Sequence, residues 1–500
     1  MAKKAASKKT GKQTGPTFDV KPLTGTLKKA VAVAATMRAA GAAPKKRIHR
    51  RRLIPRVPTG KVQRDANPTA AVALRGALDL AAGPAMAAPM ADTDTIAFTR
   101  NVQLGDVSTA DTASHVCEPS VAVNGDVVFY TGNWFAARSL DGGQTFQHVN
   151  PATAFPDPPG MEFCCDQVVH YMKKIDTFVW LLQYTETPQG NNIQRLAFAT
   201  TAQVRNGQWR LFDISSQSLG LAGVFLDYPD LAVGSNMLYL TMNGFRGNAW
   251  EATILVRMPL SGIKNGTINA DRFIWRDNFN FRVAQNCGTT AYFASHNTSS
   301  QIRVFKWRES AATPTFKDVD VATWDDGNFV SMTPDSHNWL ERADPRMTGA
   351  TLAKGELWFA WGSNRGGANN RPQPFTQIAR LKASNQTLLE NVNLWDPEAG
   401  ICYAALNTNA NNEVGVSYAM GGGTRHPFHV VGVLTGTRRE VTAFAGNRGP
   451  NDDKWGDYLT VRRAYPSQKL FAATGYTLQA GTGQRDATPN FTIFGRSSDV

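Results

Sequence analysis

The 500-residue sequence contains few cysteines, no long apolar run and no familiar cofactor motif. Five cysteines occur, an odd number without a C-x-x-C pair, which argues against a zinc site or a disulfide framework. We therefore expect buried free thiols at Cys117, Cys164, Cys165, Cys287 and Cys402. No stretch of about 18 apolar residues is present, so no membrane span is predicted. No HExxH, P-loop or dinucleotide fingerprint occurs, and neither a metal nor a cofactor is expected.

Acidic residues are scarce at the N-terminus. Residues 1–80 contain 19 Lys or Arg and three acidic residues, a local charge of +16, whereas the remaining 420 hold 34 basic and 37 acidic residues. An Ala-rich, Pro-punctuated basic segment buries too little apolar surface to offset its ordering entropy. We therefore predict a largely disordered extension over residues 1–92 and a folded domain over residues 93–500.

The extension has two possible roles. Its densest basic runs, Lys45–Arg47 and Arg50–Arg52, would suit contact with a polyanion. A solubilising or targeting segment without a specific ligand is the alternative. The apolar run Ala30–Met37 is short and closed by Arg38, so it does not make a clear signal peptide. The compartment stays open, with a secreted or cell-surface location favoured.

A repeat organises the rest of the chain. A polar residue, a short apolar strand, a turn and a second apolar strand recur at steps of 48 to 64 residues. The repeats start at Glu118, Asp166, Tyr228, Arg282, Arg346, Tyr403 and Asp457. The apolar runs are short and rich in Val, Phe, Tyr and Trp, which favours strands. The spacing predicts an all-β propeller of seven four-stranded blades, six being the alternative, with 96–104 as the outer strand of the last blade.

The sharpest motif is Ser139–Leu–Asp–Gly–Gly–Gln–Thr–Phe146. Its Asp can bind backbone amides of a turn, and its two glycines allow positive φ. The motif resembles the Asp-box (SxDGGxTW/F) of sialidases and other Asp-box propellers. The resemblance implies a structural hairpin away from any active site, and non-enzymes of the family carry the box too. The residues concerned are Ser139, Asp141, Gly142, Gly143, Thr145 and Phe146.

The first residues of the repeats would ring the mouth of the central channel, where propellers bind ligands. Arginines there can hold a carboxylate, and carboxyl groups and tyrosines can cleave a glycoside. Resemblance to sialidases implies Asp166 as acid/base and Tyr403 as nucleophile with Glu118 as its partner. It also implies that Arg282 and Arg346 clamp the carboxylate of an acidic sugar. Tyr228 and Asp457 would complete the substrate site.

Other interpretations stay open. The segment Phe281–Arg282–Val–Ala lacks the Ile–Pro of the sialidase arginine motif, and the order of the catalytic residues differs from the family's. Asp166, Asp227 and Asp457 could instead hold neighbouring blades together. A polysaccharide lyase would depend on His170, Tyr228 and Arg282, and a non-catalytic propeller would only bind. We favour glycoside hydrolysis of an acidic glycan and leave open whether the protein is an enzyme.

Overall fold

The computed structural model describes residues 18–36, 52–63, 95–105, 113–114, 116–479 and 487–500. Seven antiparallel sheets follow one another along the chain. The first strand of each sheet contacts the first strands of its neighbours, so the sheets form a ring around a central channel. The predicted seven-bladed β-propeller is confirmed.

Three strands precede the first blade: β1 (Asp19–Thr26), β2 (Val31–Ala32) and β3 (Ile96–Gln103). Blade 1 contains β4 (Ser120–Asn124), β5 (Val127–Gly132), β6 (Phe135–Ser139) and β7 (Gln147–Val149). Blade 2 contains β8 (Phe163–Met172), β9 (Thr177–Tyr184), β10 (Ile193–Thr200) and β11 (Gln208–Ser215). Blade 3 contains β12 (Phe225–Val233), β13 (Met237–Arg246), β14 (Ala249–Pro259) and β15 (Thr267–Trp275).

Blade 4 contains β16 (Arg282–Val283), β17 (Thr290–Thr298), β18 (Gln301–Arg308) and β19 (Thr315–Asp320). Blade 5 contains β20 (Met347–Ala353), β21 (Glu356–Ser363), β22 (Phe375–Lys382) and β23 (Thr387–Leu394). Blade 6 contains β24 (Gly400–Thr408), β25 (Val414–Gly422), β26 (Arg425–Val433) and β27 (Arg439–Phe444). Blade 7 contains β28 (Val461–Arg463), β29 (Phe471–Leu478) and β30 (Ala487–Arg496).

Within the residues that the structure describes, helices occur only in short connections. The α-helices are α1 (Pro151–Ala154), α2 (Thr201–Arg205) and α3 (Leu260–Asn265), and two 3₁₀ turns span Lys173–Ile175 and Ser497–Asp499. No helix in the described ranges combines the length and apolarity that a membrane crossing requires.

Strand β3 closes the ring. It pairs antiparallel with β30, from Ile96 opposite Arg496 to Gln103 opposite Asn490, and so supplies the fourth strand of blade 7. The predicted role of this segment is confirmed. Closure removes the open edges that a linear row of sheets would expose.

Aromatic and branched side chains fill the spaces between blades. At the interface of blades 1 and 2 the Phe129 ring lies 4.9 Å from that of Trp180 and 5.0 Å from that of Trp209. Because each blade is covered on both faces, strands such as β9 are buried along their whole length. This explains why the sequence shows short continuous apolar runs rather than strict alternation.

Two stretches of the N-terminal extension, residues 18–36 and 52–63, pack on the propeller, and the boundary of the extension at residue 92 stays a prediction. Strand β1 pairs with β15 and strand β2 with β11, so each adds a fifth strand to an outer blade edge. The N–H and C=O groups at those edges can pair with a further strand. The composition of the extension does not reveal that such edges are available.

The second ordered stretch, residues 52–63, crosses connections on the face where the innermost strands begin. The Gly60 N–H donates to Ser299 Oγ (3.1 Å) and the Gln63 N–H to Thr323 Oγ1 (2.6 Å). Arg52 pairs with Glu186 at 3.4 Å. Most of the basic run 45–52 lies outside the described residues, so its contact with polyanions stays a prediction.

Strand β1 should contribute to stability through Leu23, which is 8% exposed and packs into the core of blades 2 and 3. We expect Leu23→Ala to lower the free energy of unfolding by about 2–5 kcal/mol. Leu53→Ala, in the same extension but 65% exposed, is the matched control and should change it by less than about 0.5 kcal/mol. Urea unfolding measures both, and equal effects would contradict packing of β1.

Candidate functional site

The innermost strands begin at a polar funnel on one face of the ring. It contains six of the predicted residues, drawn from six blades: Glu118, Asp166, Tyr228, Arg346, Tyr403 and Asp457. Electrostatic interaction links Asp166 with Glu118 and Asp457, and Tyr228 with Arg346 and Asp457. A small polar cleft lies beside Arg346, Tyr403 and Asp457. The structure therefore places these six positions near one another, and their roles stay predictions.

Three of these residues share an unusual backbone conformation. Glu118, Tyr228 and Tyr403 have φ of +48°, +53° and +64°, a region that non-glycine residues seldom adopt. Each lies two residues before the point at which the innermost strand of its blade starts or resumes regular pairing with the second strand. Such strained positions cluster at functional sites.

The fourth repeat was predicted in the wrong register. Its residue with the matching conformation is Asn280, with φ of +60°, rather than Arg282. Side chains two residues apart on a strand point the same way, so Arg282 still faces the channel but lies about 7 Å deeper. There Arg282 pairs with Asp230 at 2.6 Å, and its Nε donates to the Thr348 carbonyl at 2.8 Å.

Arg346 is the best-partnered cation in the funnel. Its Nη2 lies 2.7 Å from Asp344 and 3.0 Å from Asp457, and its guanidinium stacks 4.0 Å from the ring centre of Tyr228. Asp457 also pairs with Arg342 at 3.0 Å. Burial opposes ionisation of Asp457, but Arg342 and Arg346 outweigh it and lower its pKa to about 2.

Glu118 joins the first blade to the last. One carboxyl oxygen accepts from the backbone N–H of Asp457 (2.9 Å) and the other from Asn133 Nδ2 (2.8 Å). Burial and the neighbouring Asp457 charge raise the pKa of Glu118 to about 7. With both oxygens occupied and 2% of the residue exposed, Glu118 is suited to holding the site together.

Asp166 has a different environment. It is 9% exposed, and its carboxyl takes part in no hydrogen bond or ion pair with the residues that the structure describes. Burial raises its pKa well above the usual range, and the charges of Glu118, Asp227 and Asp457 raise it further. A raised pKa favours the protonated form, which is the state that a proton donor requires.

Asp227 provides a second carboxylate beside Asp166. It accepts hydrogen bonds from Gln183 Nε2 and from the Tyr228 backbone N–H, both at 3.0 Å. Unlike Asp166, it is only half-buried. The funnel thus holds two neighbouring carboxyl groups in different environments, one buried and one half-buried.

The predicted tyrosines are buried and neutral. The hydroxyl groups of Tyr228 and Tyr403 have no hydrogen-bond partner among the described residues. Burial raises the pKa of both, and for Tyr403 the neighbouring Cys402 and Asp457 add to the effect. His170 lies in the channel, where its Nε2 is 3.0 Å from Gln285 Oε1 and burial lowers its pKa to about 3.

Sequence reasoning missed Arg342, Asp230 and Arg462. Arg342 lies in the long connection from β19 to β20, for which the long step between the fourth and fifth repeats was the available signal. Asp230 and Arg462 lie on innermost strands just after predicted repeat starts. Asp230 would have been found by also considering the residue two positions after the first residue of each repeat.

Two cysteines differ from the prediction. Cys164 and Cys165 form a disulfide immediately before Asp166, whereas Cys117, Cys287 and Cys402 are free and buried as expected. The register shift between Phe163 and Gln167 bends the backbone at this bond. Cysteine spacing does not signal a bond between adjacent residues, so this disulfide was not predictable from the sequence.

The predicted turn chemistry of 139–146 is confirmed. The Asp141 carboxylate accepts from the Gln144 N–H (2.9 Å) and the Thr145 N–H (3.0 Å), and Ser139 Oγ accepts from the Gly143 N–H (2.8 Å). Gly142 and Gly143 have φ of +72° and +82°. Membership of the Asp-box family stays a prediction.

This turn lies away from the funnel. It connects the third and fourth strands of blade 1, and because strands alternate in direction it lies on the opposite face of the ring. Phe146 packs 5.8 Å from Phe491 of blade 7. Its position fits the structural role expected of it.

No group of three or more His, Cys, Asp or Glu side chains placed to hold a metal ion occurs in the described part of the chain. The protein is thus a seven-bladed propeller with several carboxyl groups at the mouth of its central channel.

Comparison with known proteins adds structural likeness only. No family model and no curated protein matches the sequence. The fold is similar to an α-L-arabinanase of Penicillium chrysogenum (10% identity, 81% of this chain and 99% of that chain, TM-score 0.38). It is similar to an α-L-arabinofuranosidase of Fusarium graminearum (11% identity, 77% and 94%, TM-score 0.39). It is also similar to the Pan2 WD40 domain of Neurospora crassa (8% identity, 76% and 89%, TM-score 0.39). The fold assignment therefore rests on the seven sheets themselves.

Glu118 should make stability fall as pH rises. Its carboxyl has a reference pKa of 4.5 and a pKa of about 7 in the folded protein. Between these values the folded state binds more protons than the unfolded state, so stability decreases by at most about 3 kcal/mol and then levels off. Glu118→Gln should reduce the pH dependence of stability when urea unfolding is measured between pH 4.5 and about 7. The substitution should be tolerated because the Asn133 amide can turn and accept a hydrogen bond from the new amide group. An unchanged slope would contradict the raised pKa.

The disulfide can be tested by thiol counting. Denatured, unreduced protein should take up three alkyl groups at Cys117, Cys287 and Cys402, and reduced protein should take up five. Intact-mass measurement distinguishes these states. Five labels before reduction would show that Cys164 and Cys165 are free.

Proposed function

We propose that the protein hydrolyses a glycosidic bond at the funnel, with Asp166 as general acid and Asp227 as the second carboxylate. The observation that supports this is the pairing of a buried, unpartnered carboxyl of raised pKa with a half-buried carboxylate that accepts two hydrogen bonds. Glycosidases divide the acid and nucleophile or base roles between two such groups.

In the proposed reaction the Asp166 carboxyl donates its proton to the glycosidic oxygen as the bond from that oxygen to the anomeric carbon breaks. Asp227 either bonds to the anomeric carbon, forming an ester that a water deprotonated by Asp166 then cleaves, or removes a proton from a water that attacks the anomeric carbon directly. The first route retains and the second inverts the anomeric configuration, so product NMR would distinguish them. Tyr403, the nucleophile implied by the sialidase resemblance, is less suited because burial raises the pKa of its hydroxyl.

A neutral glycan fits this funnel better than the acidic glycan expected from the sequence. Arg346 is bound by Asp344 and Asp457, and Arg282 by Asp230. A sugar carboxylate would have to displace one of these internal carboxylates from a buried pair. Neutral hydroxyl groups could instead bind the remaining acceptor positions of the funnel carboxylates.

The test uses a panel of chromogenic glycosides, with neutral pentosides and hexosides beside sialosides and uronides. Asp166→Asn should lower kcat by about 10²–10⁴-fold on a substrate with a poor leaving group. The loss should be much smaller with a dinitrophenyl leaving group, which departs without protonation. The variant should melt no lower than the parent protein, because it removes a carboxyl held protonated by burial.

The matched control is Asp318→Asn. Asp318 lies on an outer strand of blade 4, where Arg303 binds both its oxygens at 2.7 and 2.8 Å. Its loss should leave activity unchanged. Equal rates for Asp166→Asn and parent protein, or a loss independent of leaving group, would contradict the assigned role. Unsaturated uronate products would indicate a lyase, and binding without turnover a non-catalytic propeller.

A further inference from the structure

Below the funnel, three charged side chains meet inside the channel. Asp230 comes from blade 3, Arg282 from blade 4 and Arg462 from blade 7. Asp230 lies 2.6 Å from Arg282 Nη1 and 4.0 Å from Arg462 Nη2. Blades 3 and 7 are on opposite sides of the ring, so these side chains bridge the channel. One carboxylate therefore faces two guanidinium groups.

The two arginines differ in their partners. Arg282 is bound by Asp230 and donates to the Thr348 carbonyl. Arg462 is 5% exposed, and its Nε and Nη2 have no hydrogen-bond acceptor among the described residues. A buried donor without an acceptor loses its solvation and gains nothing in return. Arg462 therefore has vacant hydrogen-bonding capacity directed into the channel.

The charge of this layer is also unbalanced. Burial lowers the pKa of Arg462 to about 10, with Arg282 adding to the effect, and this value still leaves Arg462 charged at neutral pH. His170 is close enough to feel the Arg462 charge, but burial keeps its imidazole neutral. Two positive charges then face the single negative charge of Asp230. An excess of one positive charge in a buried layer favours binding of one negative charge.

We propose that this layer of the channel is a binding site for a small monovalent anion such as chloride, held by Nε and Nη2 of Arg462. A monovalent ion balances the excess charge, and a halide accepts several N–H donors at once. The site lies deeper than Asp166 and Asp227, and it does not depend on the proposed glycosidase activity. Its occupancy would reduce the repulsion between Arg462 and Arg282 and would stabilise the closed ring.

Crystallography of the full-length protein soaked in sodium bromide tests the site directly. We expect an anomalous bromide peak in contact with Arg462 Nε and Nη2. Bromide bound only at surface arginines, or only water in the channel layer, would overturn the proposal. This measurement needs no variant, so it does not depend on how any substitution folds.

Thermal unfolding in bromide and in gluconate at equal ionic strength provides the second test. Gluconate is a much larger anion than bromide, so we expect only bromide to raise Tm, with a response that saturates. Arg462→Met should weaken bromide binding at least tenfold. The adjacent Arg463→Met is the control, because Arg463 donates to the Thr408 carbonyl instead (2.7 Å) and its loss should leave the bromide response intact. A response unchanged in Arg462→Met, or lost equally in both variants, would refute the site.

Discussion

The antiparallel pairing of β3 with β30 is the interaction on which the rest of the structure depends. It ties the start of the propeller to its last blade, so that blades 1 and 7 become neighbours. Across this junction Glu118 accepts from the Asp457 N–H, and the Tyr130 hydroxyl donates to the Gly475 carbonyl at 3.3 Å. Without closure these blades would expose their edges and the funnel residues would not converge.

Closure also decides the electrostatics of the channel. Each innermost strand brings its polar residues into a space shared with distant blades, where water is largely excluded. In the funnel, the charges of Arg342 and Arg346 are mainly neutralised by Asp344 and Asp457. In the channel below the funnel, charge is neutralised only partly, by the pairing of Arg282 with Asp230. The same desolvation that makes unpaired charges costly gives individual groups distinct protonation states.

Much of the fold was predictable because each blade is formed mainly by consecutive strands of one short stretch of sequence. The regular steps, the short apolar runs and the position of 96–104 led to seven blades and the closing strand. The ordering of 18–36 was not predictable, because β1 and β2 are held by free edges of blades formed much later in the chain. A segment's own composition carries no information about such an edge.

The site was predictable as a ring of positions but not as a set of roles. Repeat starts identified Glu118, Asp166, Tyr228 and Asp457, since the innermost strand has the same geometry in every blade. The pairing of Arg346 with Asp344 and Asp457 depends on side chains crossing between blades, which no spacing encodes. The two-residue shift in the fourth repeat arose because the matching backbone position is an asparagine rather than a charged residue.

The contrast between Asp166 and the carboxylates of the outer strands bears most directly on function. Asp213 pairs with Arg195 at 2.7 Å and with Lys28 at 2.8 Å, and burial does not prevent these partners from lowering its pKa. A carboxylate that serves only the scaffold is stabilised in this way by an opposite charge. Asp166 has no such partner among the described residues and stands among further negative charges, an arrangement that lowers stability. This contrast is the reason why the proposed reaction places its general acid at Asp166 rather than at a carboxylate of the outer strands.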